Sequence, residues 1–349
     1  MKNNRRNFIK TTAIAGIGLG LVGNVYSENS KIDLSKGGRI GIIGLDTSHV
    51  VAFTQGINES PDRPEYKGYK VVAAYPTKGS ADMSSSIDRL AGFTDKLRNM
   101  GVEIVNSIDD LLKKVDVVLL ESVDGRRHLK EVLPVLKSGK RMFIDKPVSN
   151  NLAGAIAIYE ASKKYNAPVF SCSSTRFAPA TLKIVNGKES VGKILSANTF
   201  CPAGKAIEHL DMAFYGIHGI ESLFTFMGSG CKEVVRFSTS KNDTVVGTWN
   251  DDRIGIFNGI PKGGKGGFGG TVFGDSGNEE KIKILAGYDP LLVEIIKYFR
   301  TGIVPVSPEQ TIEIFAFMKA ADESKLKGGK PISLESVLQK AKKDISQLI

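Results

Sequence analysis

Residues 39–51 read RIGIIGLDTSHVV. Arg39–Ile43 is a short apolar strand, and Gly44 follows where a dinucleotide-binding fold places its phosphate loop. The usual G-x-G-x-x-G spacing requires glycine at positions 44, 46 and 49, whereas this chain has Gly44, Asp46 and His49. Gly44 still supplies the tight turn. The second glycine normally lets backbone approach a pyrophosphate, and Asp46 brings a side chain and a negative charge to that place. Aspartate, threonine and serine are all good helix caps. An Asp46 carboxylate turned away to cap a helix starting near Thr47 or Ser48 would relieve the repulsion.

The pattern continues outward from this strand. Tyr69–Tyr75 (YKVVAAY), Asp116–Glu121 (DVVLLE), Arg141–Asp145 (RMFID) and Val169–Ser173 read as short buried strands. Amphipathic helical stretches lie between them: Ile108–Lys114, Arg126–Ser138 ended by Gly139, and Leu152–Tyr165. Strands alternating with helices give parallel βαβ units, whose ligands bind at the carboxyl ends of the strands. Residues 38–173 are therefore expected to form a Rossmann-like dinucleotide-binding domain. Residues 174–349 have another texture. VGKILSANTFC, CKEVVRFSTS, TVVGTWNDD and RIGIFNGI are strands of alternating or β-branched character joined by short turns, which predicts an α+β domain with a largely antiparallel open sheet. PKGGKGGFGG lacks a strand-to-helix context and reads as a loop or hairpin connection. Helices return at Leu291–Arg300 and Thr311–Leu326, in a position to pack back on the first domain.

The first residues bear on where the chain works. NRRNFIK, Asn4 to Lys10, has the order of a twin-arginine signal, and the apolar stretch Thr11–Val25 is too short and too weakly hydrophobic for a good membrane span. Val25 and Ser27 suit cleavage after Ser27. The expectation is export to the periplasm by the twin-arginine machinery, with the chain already folded and no membrane attachment afterwards. Lys2, Arg5, Arg6 and Lys10 supply four of the net +10 charges, and no basic tract is interleaved with aromatics, so nucleic-acid binding is not expected. Cys172, Cys201 and Cys231 are an odd number without metal spacing, and the four histidines form no paired metal motif; no metal is expected from them.

One run identifies a family likeness. ESVDGRRHLKEVLPVLKSGKRMFIDKPVS, Glu121 to Ser149, resembles the glucose–fructose oxidoreductase/inositol dehydrogenase/MocA family: a strand, a loop and a helix beginning near His128, Gly139-Lys140, then a strand ending in Asp145-Lys146-Pro147 where the family has Glu-Lys-Pro. Arg176-Phe177, Val191–Ile194 (VGKI), Tyr215–Gly228 (YGIHGIESLFTFMG) and the closing AADESKLKGGKPISL follow in the family's order, over roughly residues 38 to 345.

The resemblance implies an NAD- or NADP-dependent oxidoreductase acting on a sugar or cyclitol hydroxyl, its cofactor kept bound through export, in a homo-oligomer of two or four chains. It implies cofactor contacts from Gly44, Leu45, Asp46, Thr47, Ser48, Ser122, Asp145 and Lys146, and substrate contacts from Arg176, Asp211, Tyr215 and His218. Lys146 and His218 would be catalytic. Lys146 ends a buried strand before a proline, so its ammonium can reach a substrate hydroxyl and stabilise alkoxide character. His218 lies in the first turn of a helix with apolar face Ile217, Ile220, Phe224 and Met227 and suits proton abstraction. The family usually has aspartate four residues before this histidine; here it is Phe214, and Asp211 or Tyr215 are the candidate replacements. His209 and Glu221 read as solvated residues. After Tyr75 there is no acid for an adenosine ribose, and Lys78 or Ser80 could face a 2′-phosphate. Two other readings stay open: an exported glycoside-cleaving enzyme using transient oxidation, and a cofactor-free sugar-binding protein or lyase in which Asp46 and His49 have new roles.

Overall fold

The computed structural model describes residues 33–60, 62–187, 191–261 and 267–345. The signal-like segment and the centre of the glycine-rich stretch lie outside these residues.

The first sheet contains β1 (Gly38–Ile43), β2 (Tyr69–Tyr75), β3 (Glu103–Ile104), β4 (Val117–Leu120), β5 (Arg141–Ile144) and β6 (Val169–Phe170) in the order β3-β2-β1-β4-β5-β6. Every pairing is parallel. All four residues of β4 are buried, as expected of a strand covered on both faces. The crossovers carry α1 (His49–Asn58), α2 (Ser84–Asn99), α3 (Ile108–Lys114), α4 (His128–Lys137) and α5 (Leu152–Lys164). The sheet runs one way from β1 and the other way from β4, so the loops after these two strands diverge and leave a crevice.

A short 3₁₀ turn, Ser174–Phe177, and α6 (Pro179–Gly187) lead into the second sheet. Its strands are β7 (Ile194–Pro202), β8 (Cys231–Ser238), β9 (Asp243–Trp249), β10 (Ile254–Ile260), β11 (Gly269–Gly274), β12 (Asn278–Ile282) and β13 (Ile332–Ser333), ordered β12-β11-β7-β10-β9-β8-β13. The sheet is mostly antiparallel, but β7 and β10 pair in parallel, so it is mixed. Helix α7 (Ile217–Met227) lies on β7 and β10. It comes close because Gly219 has no side chain: a Cβ there would lie 2.5 Å from the Phe257 ring.

The last helices, α8 (Asp289–Thr301), α9 (Pro308–Leu326) and α10 (Leu334–Asp344), tie the halves together. Leu291, Leu292, Ile295 and Ile296 of α8 share a core with Ile40, Ile42 and Phe53 of the first sheet and α1. The Tyr298 hydroxyl donates to the Pro168 carbonyl and accepts from Met142 N–H at 3.2 Å. Helices α9 and α10 pack on α5, and one apolar cluster runs from Val118 and Ile144 through Phe315 and Phe317 to Phe224 and Trp249.

Candidate functional site

The residues that follow β1, β4 and β5 converge at the crevice. Gly44 turns the chain at φ +84, and a Cβ there would meet the Ser122 backbone nitrogen at 2.5 Å, so the turn after β1 needs glycine. Leu45 and Thr47 are buried, whereas Ser48 is exposed at the N-cap of α1 with its hydroxyl uncommitted to capping. Asp46 does not cap α1 as the sequence suggests. It is 0 % exposed, and its carboxylate accepts from Val123 N–H at 2.9 Å and from the Ser86 hydroxyl. The acid that replaces the second glycine thus clamps the loop after β4 to the start of α2. Its charge is answered by protein donors. Beside it, the buried Ser122 hydroxyl has no hydrogen-bond partner among the described residues.

His49, at the third glycine position, points across the crevice. Its Nδ1 lies 2.8 Å from Asp145 Oδ2, and its ring stacks on Phe53 and packs against Tyr288. Lys146, joined to Pro147 by a cis peptide, brings its ammonium 3.7 Å from the same Asp145 oxygen, with its side chain 12 % exposed. Burial pushes the Asp145 carboxyl up, but His49 and Lys146 outweigh it and hold the group well below the usual carboxylate range. Glu121 follows β4 in the same place. It is 0 % exposed, and neither carboxylate oxygen accepts a hydrogen bond from any described residue. Burial, then the neighbouring Asp145 charge, drives its pKa well above the ordinary value, against the pull of Lys146. The nearest donor atoms of His49, Glu121 and Asp145 all lie within 4.8 Å of one another.

From the second domain, α7 brings in His218. Its Nδ1 is 2.7 Å from Ser173 Oγ, which is also 2.9 Å from Thr175 Oγ1 and accepts from Thr175 N–H at 3.2 Å. Thr175 Oγ1 donates its one hydrogen to the His218 carbonyl at 2.9 Å. In the Ser173–Thr175 contact the hydrogen must therefore come from Ser173, which then has none left for the ring. Ser173 accepts from His218 Nδ1–H, and Nε2 keeps its lone pair, with no protein partner among the described residues. Burial first, then the positive charges of Lys146 and His49, lower the imidazole pKa to about 3, so the ring is neutral near pH 7. Ser173 fills the role left open at Phe214.

Other sequence-derived residues sit elsewhere. Asp211 accepts from Lys205 (2.7 Å), Lys325 (2.8 Å) and the buried Arg236 (2.9 Å), within an ionic cluster that also holds Asp243 and Asp322. That commitment corrects its assignment to substrate or to His218. Arg176 is buried and bonds Glu221 Oε2 through Nε (2.9 Å) and a terminal nitrogen (2.5 Å), with Gln310 Oε1 at 2.9 Å. Its donors hold the 3₁₀ turn to α7 and α9 rather than facing a ligand, so its substrate assignment is also corrected. Glu221 is consequently buried, not solvated. His209 is likewise sheltered, accepting from Gly125 N–H at 3.1 Å and donating to the Ile207 carbonyl at 2.7 Å. Tyr215 is 45 % exposed, its ring edge-on to His218 at 6.2 Å. Ser80 is buried and donates to Asp124, leaving Lys78 exposed after β2.

Glu121 and Ser173 are the site residues that sequence reasoning leaves out, and His49 is read there only as a departure from the glycine spacing, open to a new role. Glu121 does leave a signal, a lone acid closing the apolar run DVVLL. Ser173 and His49 are recognisable only through partners 45 and 96 positions away.

The arrangement is a Rossmann-type parallel sheet followed by a mixed, mostly antiparallel sheet. Three solved structures share it over nearly their whole length: a probable dehydrogenase from Thermotoga maritima (TM-score 0.68, 20 % identity, 86 % of this chain and 99 % of that one), scyllo-inositol dehydrogenase from Lactobacillus casei (0.68, 15 %, 86 % and 99 %), and the WlbA dehydrogenase from Chromobacterium violaceum in complex with NADH and UDP-GlcNAcA (0.65, 14 %, 85 % and 96 %). At these identities the likeness is one of fold. By sequence, the chain is 27 % identical over 173 residues to the dehydrogenase aclE of Aspergillus oryzae; the match spans 47 % of this chain and 44 % of the length of that relative. No protein-family profile matches the chain.

Proposed function

We propose that the chain is an oxidoreductase that uses NAD or NADP to interconvert a secondary hydroxyl and a ketone on a sugar or cyclitol. The observation that carries this reading is the Lys146 ammonium after β5, near enough for its charge to lower the basicity of a neutral His218 whose Nε2 lone pair is free. The solved dehydrogenases of the same fold support it. The crevice residues suit a dinucleotide at several points: the Gly44 turn, the unpartnered Ser122 hydroxyl, the uncommitted Ser48 at the start of α1, and an Asp46 whose charge protein donors already meet. The exposed Lys78, with no acid after β2, suits the 2′-phosphate of NADP as well as NAD.

The bound nicotinamide would accept or return the hydride. Lys146 would donate to the reacting oxygen and stabilise its negative charge, and His218 Nε2 would take the hydroxyl proton. Ser173 would fix the ring through Nδ1. With Lys146 close by, the low basicity of His218 suits a proton already loosened by that ammonium. Tyr215, part-exposed beside the ring, would line the substrate side.

The buried, unpartnered Glu121 in the crevice favours a second reading, a cofactor-free sugar lyase using the same lysine and histidine. NRRNFIK supports export to the periplasm. Exposed Leu195, Phe237, Ile254 and Phe273 on the second sheet support a homo-oligomer. The test is reduction of added or resident nicotinamide, followed by absorbance, across a panel of sugars and cyclitols. Turnover that disappears in Lys146→Met is expected. No reduction with any polyol, together with cleavage of a linked sugar without nicotinamide, would overturn the redox reading in favour of the lyase.

A further inference from the structure

We propose that His49, Glu121 and Asp145 bind one divalent first-row transition ion, of the manganese, iron or zinc class, at the carboxyl end of the first sheet. Three separate parts of the fold supply the donors: the first residue of α1, the residue after β4 and the residue after β5. All three side chains are buried, and their donor atoms lie within 4.8 Å of one another.

Glu121 carries the argument furthest. A buried carboxyl group is ordinarily answered by hydrogen bonds, and leaving its oxygens without partners costs free energy even when the group is protonated. Asp46 shows the ordinary solution in the same crevice, with a backbone N–H and a hydroxyl on its two oxygens. Glu121 has neither, although it is fully buried and aimed at the same spot as His49 and Asp145. The one nearby ammonium, Lys146, sits on Asp145. A divalent ion would give Glu121 its missing partner and take the place of the hydrogen that His49 and Asp145 now share.

The geometry and chemistry agree. Donors bound to one ion at about 2.1 Å lie about 3 Å apart in adjacent positions, and His49 Nδ1 and Asp145 Oδ2 are already 2.8 Å apart. The ion would replace the hydrogen they now share, and His49 would carry its proton on Nε2. The Glu121 oxygen lies within 4.8 Å of both. Phe53 and Tyr288 hold the imidazole plane in place. An imidazole nitrogen with two carboxylates suits a borderline transition ion better than calcium or magnesium, which favour all-oxygen sets. Three protein donors also leave positions open to oxygen atoms of a bound molecule, whether a polyol or a phosphate. This inference uses no property of the nicotinamide and stands or falls apart from it.

The test uses the full chain, stripped with chelator and dialysed. Titration with Mn2+, followed by calorimetry and by loss of the free-ion paramagnetic resonance signal, is expected to show one site per chain, about micromolar or tighter. Mn2+ should raise the melting temperature. Glu121→Gln keeps the shape and removes the charge; it should weaken binding at least about tenfold and abolish the thermal shift while circular dichroism stays native. His49→Gln, which leaves the β4 end untouched, should do the same and serves if Glu121→Gln does not fold. Absence of saturable binding of both Mn2+ and Zn2+ by the folded wild type at millimolar ion would overturn the proposal. So would binding that survives both substitutions unchanged.

Discussion

Ser173 has a single hydrogen to give, and the use made of it decides the state of His218. Because that hydrogen goes to Thr175, His218 must hold its own proton on Nδ1, and Nε2 is free to act. Ser173→Ala should therefore lower kcat by about tenfold with KM nearly unchanged, and 15N shifts of the imidazole should show the Nδ1–H tautomer giving way to a mixture. A merely structural serine would leave the tautomer alone. Lys146→Met should cost about 100-fold or more in kcat, as loss of an oxyanion donor does, and should raise the His218 pKa from about 3, seen by NMR titration. At this scale the sequence was partly readable. Lys146 and His218 stand in recognisable runs, but Asp211 and Arg176 turn out to serve ion pairs whose partners come from elsewhere in the chain. A side chain's partner is fixed by tertiary folding, which spacing along the chain does not report.

Elements with strong local signals were readable almost to the residue. Helix α3 begins after Ser107, whose hydroxyl accepts from Asp110 N–H, and carries its acids first and its lysines last, so capping and dipole agree with the apolar spacing. Tyr69–Tyr75 is a strand over its whole expected length. Helix α2 was not read from the sequence, although Ile87, Leu90, Phe93 and Leu97 stand at helical spacing; of its residues only Ser86 and Leu97 are buried, so the stripe is thin. The two-residue strand β3 is set by its pairing to Ala73 and Ala74, not by its own composition. The parallel β7–β10 pair was equally hidden, since alternation is the same for either direction. Helix α7 gives the test at this scale. Gly219→Ala places a methyl against Phe257 and should destabilise the fold by about 1–3 kcal/mol, measured by urea denaturation. Because the shift would move His218 with the helix, activity should fall as well.

For the molecule as a whole, the two sheets share one apolar cluster, and buried ionisable groups make its stability depend on pH. His218 titrates near 3 when folded against an ordinary value of 6.5, so between those values the unfolded chain holds a proton that the folded chain does not. Stability from this group is complete above pH 6.5 and declines as pH falls towards 3. His218→Asn should flatten that part of a denaturation-against-pH curve. Arg236, buried among Asp211, Asp243 and Asp322, belongs to the same scale; Arg236→Met would leave Asp243 and Asp322 without their cation, while Asp211 keeps Lys205 and Lys325, and should destabilise by about 3–5 kcal/mol in thermal unfolding. The broad architecture, a parallel sheet followed by a more antiparallel one, was legible because each half carries its own periodicity; the crevice chemistry was not, because it is assembled from three strand ends. The central claim is that this crevice holds a nicotinamide dinucleotide, and the direct measurement is nucleotide content. Natively purified full chain, denatured without added nucleotide and analysed by mass spectrometry, should release about one NAD or NADP per chain. A chain that releases none and does not bind either one when added would contradict it.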